Sequence, residues 1–168
     1  ITEVINKANC EILKESKKSS AYEGMGTTIA MCCIDGNKAY IAHVGDSRVY
    51  LIEEKVIYQK TRDHSFVQQL VDNGEITEEE AKKHSMKNII TKALGVKEDI
   101  IPDILKIKLK QNSILLLCSD GVSNVLTDEE MKKIALENNV DDAAKNLCEK
   151  AQKAGSSDDL TAIVITIN

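Results

Sequence analysis

The sequence has few aromatic residues and almost no proline. Phe, Trp and Tyr together make up 3% of its 168 residues, Trp is absent and Pro occurs once. Scarce rings argue against single-stranded nucleic acid as a ligand, because such sites stack bases on aromatic side chains. With 42% hydrophobic residues, the core must be mainly aliphatic. Nothing resembling a linker interrupts the chain, so we predict one domain over residues 1–168.

Excess positive charge and long apolar runs are also absent. The net charge of -5 argues against nucleic acid or an anionic membrane as a partner, since both need a cationic surface. No run approaches the roughly 20 apolar residues of a membrane span. The first five residues show no signal peptide and no initiator Met, so we expect the sequence to begin inside a longer gene product.

The cysteines form no recognisable disulfide or metal-binding pattern. Their number is odd and no CxxC pair occurs among Cys10, Cys32, Cys33, Cys118 and Cys148. This usage predicts reduced core cysteines in a cytoplasmic protein.

Hydrophobic periodicity predicts an α+β domain. Helical spacing, with capping-box patterns at Thr77/Glu80 and Thr127/Glu130, predicts helices at 1 to about 15, 66–71, from 77, 127–137 and 141–154. Alternation and short apolar runs predict strands at 27–34, 39–44, 49–53, 56–58, 104–109, 113–118 and 160–167. Early antiparallel strands with later helices and isolated strands are typical of a layered α+β fold.

Three aspartates lie at the ends of predicted strands. Asp120 follows the apolar strand 113–118, Asp158 precedes the strand that begins at Leu160, and Asp46 lies between two strands of a meander. Carboxylates that converge from distant parts of a chain suit a hard cation such as Mg or Mn. Taken singly, an Asp beside a Gly is better explained as a turn or capping residue. Spacing alone therefore leaves both interpretations open.

Six motifs resemble those of bacterial type 2C (PPM) protein phosphatases, in the same order. They are Gly24-Met25-Gly26-Thr27-Thr28, Val44-Gly45-Asp46-Ser47-Arg48, Asp63-His64-Ser65, Ile90-Thr91-Lys92-Ala93-Leu94-Gly95, Ser119-Asp120-Gly121 and Ser157-Asp158-Asp159-Leu160-Thr161. The resemblance covers roughly residues 1–167. It implies two packed antiparallel β-sheets flanked by helices, an α-β-β-α sandwich whose amino-terminal strands are absent from this chain.

The resemblance also implies a function and its site. Asp120 and Asp158 match the family's carboxylates on the second catalytic metal, and Asp46, with Asp120, matches a third, weaker metal site. The implied reaction is hydrolysis of phosphoserine and phosphothreonine in proteins by a water activated at a binuclear Mg or Mn centre. The implied partners are phosphorylated proteins, including a serine/threonine kinase. No protein nucleophile is required.

The chain departs from the family pattern in two respects. The family's phosphate-holding Arg and its metal-bridging Asp-Gly pair belong to motifs upstream of Ile1. We therefore expect the chain as given to be inactive and to associate with the missing segment or with a second copy. The family usually has Asn where Asp159 stands, which adds a negative charge that either tightens metal binding or is solvated.

Three functions remain open at this point. The first is the phosphatase. The second is a non-catalytic family relative that acts as a regulatory or binding module, and the third is a metal-dependent hydrolase of another phosphorylated substrate. Retention of Asp46, Asp120 and Asp158 argues against the second, because a decayed site loses its metal carboxylates.

The histidines and one charged segment have simpler explanations than metal binding. His43, His64 and His84 lack HxH or HxxxH spacing, so we expect a structural hydrogen bond for His64 and a satisfied core position for His43. Residues 66–85 match the family's mobile flap beside the active site, and equally fit a pair of solvated surface helices.

Overall fold

A computed structural model describes residues 1–168 and contains six α-helices and seven strands in two sheets. The helices are α1 Thr2–Ser16, α2 Phe66–Asp72, α3 Glu78–Lys83, α4 Asp120–Ser123, α5 Asp128–Glu137 and α6 Val140–Lys153. The strands are β1 Ile29–Asp35, β2 Lys38–Val44, β3 Arg48–Glu53, β4 Val56–Gln59, β5 Asp103–Lys108, β6 Ile114–Cys118 and β7 Ala162–Thr166. One sheet has the order β1-β2-β5 and the other β4-β3-β6-β7.

The chain forms two compact units. The first unit comprises Ile1–Ile29, Ala42–Asp46 and Asp63–Ile104, and the second comprises Ala30–Ile41, Ser47–Arg62 and Leu105–Asn168. The single domain expected over residues 1–168 stays a prediction. No helix combines the length and the apolar character needed to cross a membrane.

The second unit is layered around the antiparallel four-stranded sheet. Its central strand β6 is buried along its whole length, as an uninterrupted apolar strand covered on both faces should be. Alternate residues point to opposite faces. Tyr50, Ile52 and Leu116 pack with apolar residues of α5 and α6, while Leu51 and Leu115 pack with Ile41 and Ala39 of β2. The predicted combination of two sheets with a helical layer is confirmed.

Both predicted capping boxes are present. The Thr127 amide donates to Glu130 Oε2 at 3.0 Å, and the Glu130 amide donates to Thr127 Oγ1 at 3.3 Å. Thr77 and Glu80 make the equivalent pair at the start of α3. These contacts satisfy amides that would otherwise lack partners at a helix start. The charged segment 66–85 accordingly contains the predicted pair of short helices.

Helix α1 forms where its helical spacing predicted, but it does not bury a continuous apolar face. Ile5 is buried, whereas Ile1 and Val4 are exposed and the polar residue Asn9 is 1% exposed. The Asn9 amide nitrogen donates to the carbonyl oxygens of Lys97 and Glu98 at 2.8 and 3.0 Å, and its oxygen accepts from the Gly95 amide at 2.7 Å. A buried polar residue therefore ties α1 to the loop at residues 95–98 within the first unit.

Three further predictions need correction. The strand expected at 27–34 begins at Ile29, because Thr27 instead forms an isolated bridge with Leu94. The predicted set of helices lacks α4, which begins at Asp120 and is too short to leave a periodic pattern. None of the five cysteines forms a disulfide, as expected, yet Cys10 and Cys33 are exposed and so are not core residues.

Candidate functional site

The hydroxyl of Ser119 joins the segments that carry Asp120 and Asp158. Ser119 Oγ donates to the carbonyl oxygen of Asp159 at 3.0 Å and accepts from the Thr161 amide at 3.1 Å. The Ser119 amide also donates to the Thr161 carbonyl oxygen at 3.1 Å, which extends the pairing of Cys118 with Ala162 between β6 and β7. Neighbouring strands thus bring together the two aspartate motifs of the second unit.

Gly121 allows these segments to approach closely. A Cβ atom at this position would lie 2.5 Å from the carbonyl oxygen of Asp159 and 3.3 Å from the Cβ of Asp158. Ser156 Oγ donates to the Gly121 carbonyl oxygen at 2.8 Å and closes the contact from the other side. The glycine is therefore required by close packing, since it sits in α4 and its φ is not positive.

The carboxylates of Asp120 and Asp158 interact unfavourably. Burial raises the pKa of Asp120, and the negative charge of Asp158 raises that pKa further. The Gly121 amide and the Arg48 guanidinium act in the opposite direction on the same pKa. Asn124 Nδ2 donates to Asp120 Oδ2 at 3.2 Å and holds that oxygen in place. The neighbouring protein groups therefore offset the repulsion between the Asp120 and Asp158 carboxylates only in part.

The donor set fits a hard divalent cation, but it is incomplete. Asp120 and Asp158 offer only oxygen ligands, which Mg and Mn prefer, and a cation would offset their repulsion. The described residues contain no group of three or more His, Cys, Asp or Glu side chains that could hold a metal ion. Two carboxylates therefore need further oxygen ligands, such as water. That they share one ion stays a prediction.

The third predicted ligand, Asp46, belongs to the first unit and follows a glycine with an unusual backbone. Gly45 has φ +110, and a Cβ atom there would lie 2.3 Å from Thr28 Cγ2. The Gly45 amide donates to His64 Nδ1 at 3.0 Å, and the His64 amide donates to the Gly45 carbonyl oxygen at 2.8 Å. The structural hydrogen bond expected for His64 is confirmed.

His43 is buried, but only one of its ring nitrogens has a partner. Its Nε2 lies 2.7 Å from the Gly45 carbonyl oxygen, whereas Nδ1 has no hydrogen-bond partner. The expectation of a fully satisfied core histidine is therefore wrong for Nδ1. Burial lowers the pKa of His43, and the neighbouring His64 lowers it further. Both effects favour a neutral ring.

Asp159 is exposed, and besides accepting from Ser119 through its carbonyl oxygen it makes one local contact. Its amide donates to Asp158 Oδ1 at 2.8 Å, and the side chain lies at the surface. The sequence did not predict the hydrogen bonds made by the side chains of Ser119, Asn124 and Ser156. Ser119 nevertheless belongs to the motif Ser119-Asp120-Gly121. A serine before a helix normally predicts capping, yet the Ser119 side chain makes no capping bond.

Two family models match the chain. The Protein phosphatase 2C model matches residues 2–70, and the Stage II sporulation protein E (SpoIIE) model matches residues 70–168. Protein phosphatase PhpP of Streptococcus pneumoniae is 39% identical over 152 residues, which cover 90% of this chain and 62% of PhpP. The chain thus spans somewhat less than two thirds of that relative's length.

Solved structures resemble the chain along nearly all of it. Serine/threonine phosphatase Stp1 from Staphylococcus aureus superposes with a TM-score of 0.93 at 35% identity, over 99% of this chain and 66% of Stp1. The catalytic domain of the serine/threonine phosphatase PstP, in complex with two manganese ions, gives a TM-score of 0.89 at 32% identity, over 99% and 70% of the two chains. The chain belongs to the protein phosphatase 2C (PPM) family of bacterial serine/threonine phosphatases.

Proposed function

We propose that the protein containing this chain hydrolyses phosphoserine and phosphothreonine in proteins, using water activated at a binuclear Mg or Mn centre. The observation that carries this proposal is the direct joining of the Asp120 and Asp158 segments through Ser119. In this arrangement the negative charge of Asp158 raises the pKa of Asp120, a repulsion that a bound cation would offset. Membership of the family and the manganese complex of the relative PstP also support the proposed metal-dependent reaction.

In this proposal each aspartate has its own role. Asp120 and Asp158 hold the second catalytic ion, and Asp46, with Asp120, holds a third and weaker one. A divalent cation lowers the pKa of water and so supplies the nucleophile for a phosphate ester. Other residues of the chain position the carboxylates. Asn124 orients Asp120, and Ser119 maintains the spacing of the segments that carry Asp120 and Asp158.

The proposal extends to activity, partners and location. The chain spans 62% of PhpP, and we propose that it is inactive unless it is joined to the remaining part of such a protein. Its partners would be phosphorylated proteins, including a serine/threonine kinase, together with the missing segment or a second copy of the chain. Five cysteines without a disulfide suit a cytoplasmic location.

A phosphatase assay on the full-length protein tests the proposal. We expect hydrolysis of p-nitrophenyl phosphate and phosphothreonine peptides with Mn or Mg, and none in EDTA. Asp120→Asn should reduce the rate by several orders of magnitude while leaving the fold intact. Asp141→Asn, which changes an exposed acid at the start of α6, serves as the matched control.

Two results would contradict the proposed function. Undiminished activity in EDTA would exclude metal-activated water and require a different nucleophile. Binding of phosphopeptides without turnover, in the full-length protein with Mn present, would instead support a non-catalytic regulatory module.

A further inference from the structure

We propose that His64 is a positioning residue for the Asp46 carboxylate and that it acts through the backbone of Gly45. The inference rests on the metal role proposed above for Asp46. Neither His64 nor Gly45 is among the expected metal ligands. The proposal therefore gives a function to the Asp63-His64-Ser65 motif, which the metal site itself does not use.

His64 holds Gly45 from both sides of its backbone. Its ring nitrogen Nδ1 accepts from the Gly45 amide at 3.0 Å, and its own amide donates to the Gly45 carbonyl oxygen at 2.8 Å. That carbonyl belongs to the peptide group that joins Gly45 to Asp46. Because the peptide group is planar, fixing the oxygen also fixes the direction in which the Asp46 backbone begins.

Gly45 has no side chain that could restrain its backbone conformation. Its φ of +110 is disfavoured for any residue with a Cβ atom, and such an atom would overlap Thr28. Glycine is also the residue with the greatest backbone freedom when it is unrestrained. The turn therefore needs partners from elsewhere in the chain, and His64 supplies two of them.

The His64 ring is itself held in one orientation. It stacks on the His43 ring with 4.6 Å between centroids, and Nε2 lies 3.3 Å from Asp103 Oδ1. Since Nδ1 accepts a hydrogen bond from an amide, the ring proton of the neutral form belongs on Nε2, where it can be donated to Asp103. Lys92 Nζ lies 3.3 Å from the same Asp103 oxygen and also 3.3 Å from His64 Nε2, so the lysine ammonium group and the ring nitrogen share one carboxylate oxygen.

Two substitutions separate the proposed role of Nδ1 from a general packing role. In His64→Asn the amide oxygen can occupy the place of Nδ1 and accept from the Gly45 amide. In His64→Gln the amide group reaches the place of Nε2, so the contact with Gly45 is lost while the contact with Asp103 can be kept. Both variants remove the ring and its stacking on His43 equally.

The experiment measures Mn2+ binding near Asp46 in the 15N-labelled intact protein. Paramagnetic broadening of the Asp46 amide signal, followed in a Mn2+ titration, gives an apparent dissociation constant. We expect His64→Asn to remain within about threefold of the wild type and His64→Gln to bind about tenfold more weakly, as is typical when a partner that orients a metal ligand is lost. Asp46→Asn should weaken this broadening and leave only the part that is caused by Mn2+ held at Asp120 and Asp158.

A second measurement on the unsubstituted protein does not depend on whether the variants fold. The 15N shifts of the His64 ring should identify a neutral ring protonated at Nε2, with Nδ1 as an acceptor. Protonation at Nδ1, or equal weakening in the Asn and Gln variants, would overturn the positioning role alone. Unchanged broadening in Asp46→Asn would overturn the metal role of Asp46, and the inference with it.

Discussion

Ser119 and Asp159 lie 40 positions apart in the sequence, and Ser119 Oγ donates to the Asp159 carbonyl oxygen at 3.0 Å. The same hydroxyl accepts from the Thr161 amide. One small side chain thus connects the helix start that carries Asp120 with the segment that carries Asp158. The geometry of the proposed metal site depends on this connection.

Removing the Ser119 hydroxyl should weaken that connection. Ser119→Ala loses two hydrogen bonds of about 1 kcal/mol each, so we expect the free energy of unfolding to fall by about 1–2 kcal/mol. Urea denaturation measures the change. Ser157→Ala alters an exposed serine directly before Asp158 and should leave the unfolding midpoint unchanged. Equal losses in the two variants would mean that the cross-segment bonds contribute nothing.

Gly121→Ala should force the two aspartate segments apart. The new methyl group would meet the Asp159 carbonyl oxygen at 2.5 Å, and overpacking of this kind costs about 1–3 kcal/mol. Ser123→Ala in the same helix is the control, because Ser123 Oγ is buried without a partner and its removal should be neutral or stabilising. Thermal unfolding of both variants tests the contrast. A Gly121→Ala protein as stable as the wild type would contradict the close approach.

Neutralising Asp120 should stabilise the metal-free protein. Burial and the charge of Asp158 raise the pKa of Asp120, so its ionised form is unfavourable in the folded state. We expect Asp120→Asn to melt at a higher temperature than the wild type in EDTA. With Mn2+ present the order should reverse, because a metal bound at 100 times its dissociation constant adds about 2.7 kcal/mol to the wild type alone.

The control for this comparison is Asp159→Asn. It also removes one negative charge next to Asp158, but from an exposed side chain. Its melting temperature in EDTA should rise less than that of Asp120→Asn, and it should still respond to Mn2+. A variant at Asp120 that still gains stability from Mn2+ would exclude this residue as a ligand.

Stability should decrease as pH falls through the range in which histidines titrate. Burial lowers the pKa of both His43 and His64 in the folded state, below the ordinary value of about 6.5 that applies to the unfolded chain. The unfolded state therefore binds more protons than the folded state. Stability is fully present above about pH 6.5 and is lost as pH falls toward the folded pKa values.

Urea midpoints between pH 8 and pH 5.5 test this expectation. His43→Gln keeps a donor near the position of Nε2 but cannot titrate, so its midpoint should vary less with pH. Identical slopes in this variant and in the wild type would remove His43 as a cause.

Asn9→Ala should be among the most destabilising changes in the first unit. It leaves the Gly95 amide and the carbonyl oxygens of Lys97 and Glu98 without their partner. Unsatisfied groups of this kind cost about 1–3 kcal/mol each, so for three groups we expect a total loss of at least about 3 kcal/mol in urea denaturation. Lys7→Ala, on an exposed position of α1, is the control and should change little.

Local patterns predicted most of the secondary structure. The apolar run before Cys118 is the buried strand β6, and Thr127 with Glu130 begins α5 as their spacing indicated. Such features depend on neighbours within a few residues, so they are visible in the sequence. Helix α4 was missed because four residues are too few to show a period.

The sequence by itself determined the order of helices and strands and the positions of the three aspartates, because periodicity, capping and motif order are local properties. Tertiary structure decided what Ser119, Asn9 and His64 do. Each makes hydrogen bonds to residues 19 to 89 positions away. Serine and asparagine are also common in ordinary turns, so their presence alone does not indicate such a contact. A polar contact at that separation leaves no periodic trace, so only the folded chain reveals which backbone group each side chain satisfies.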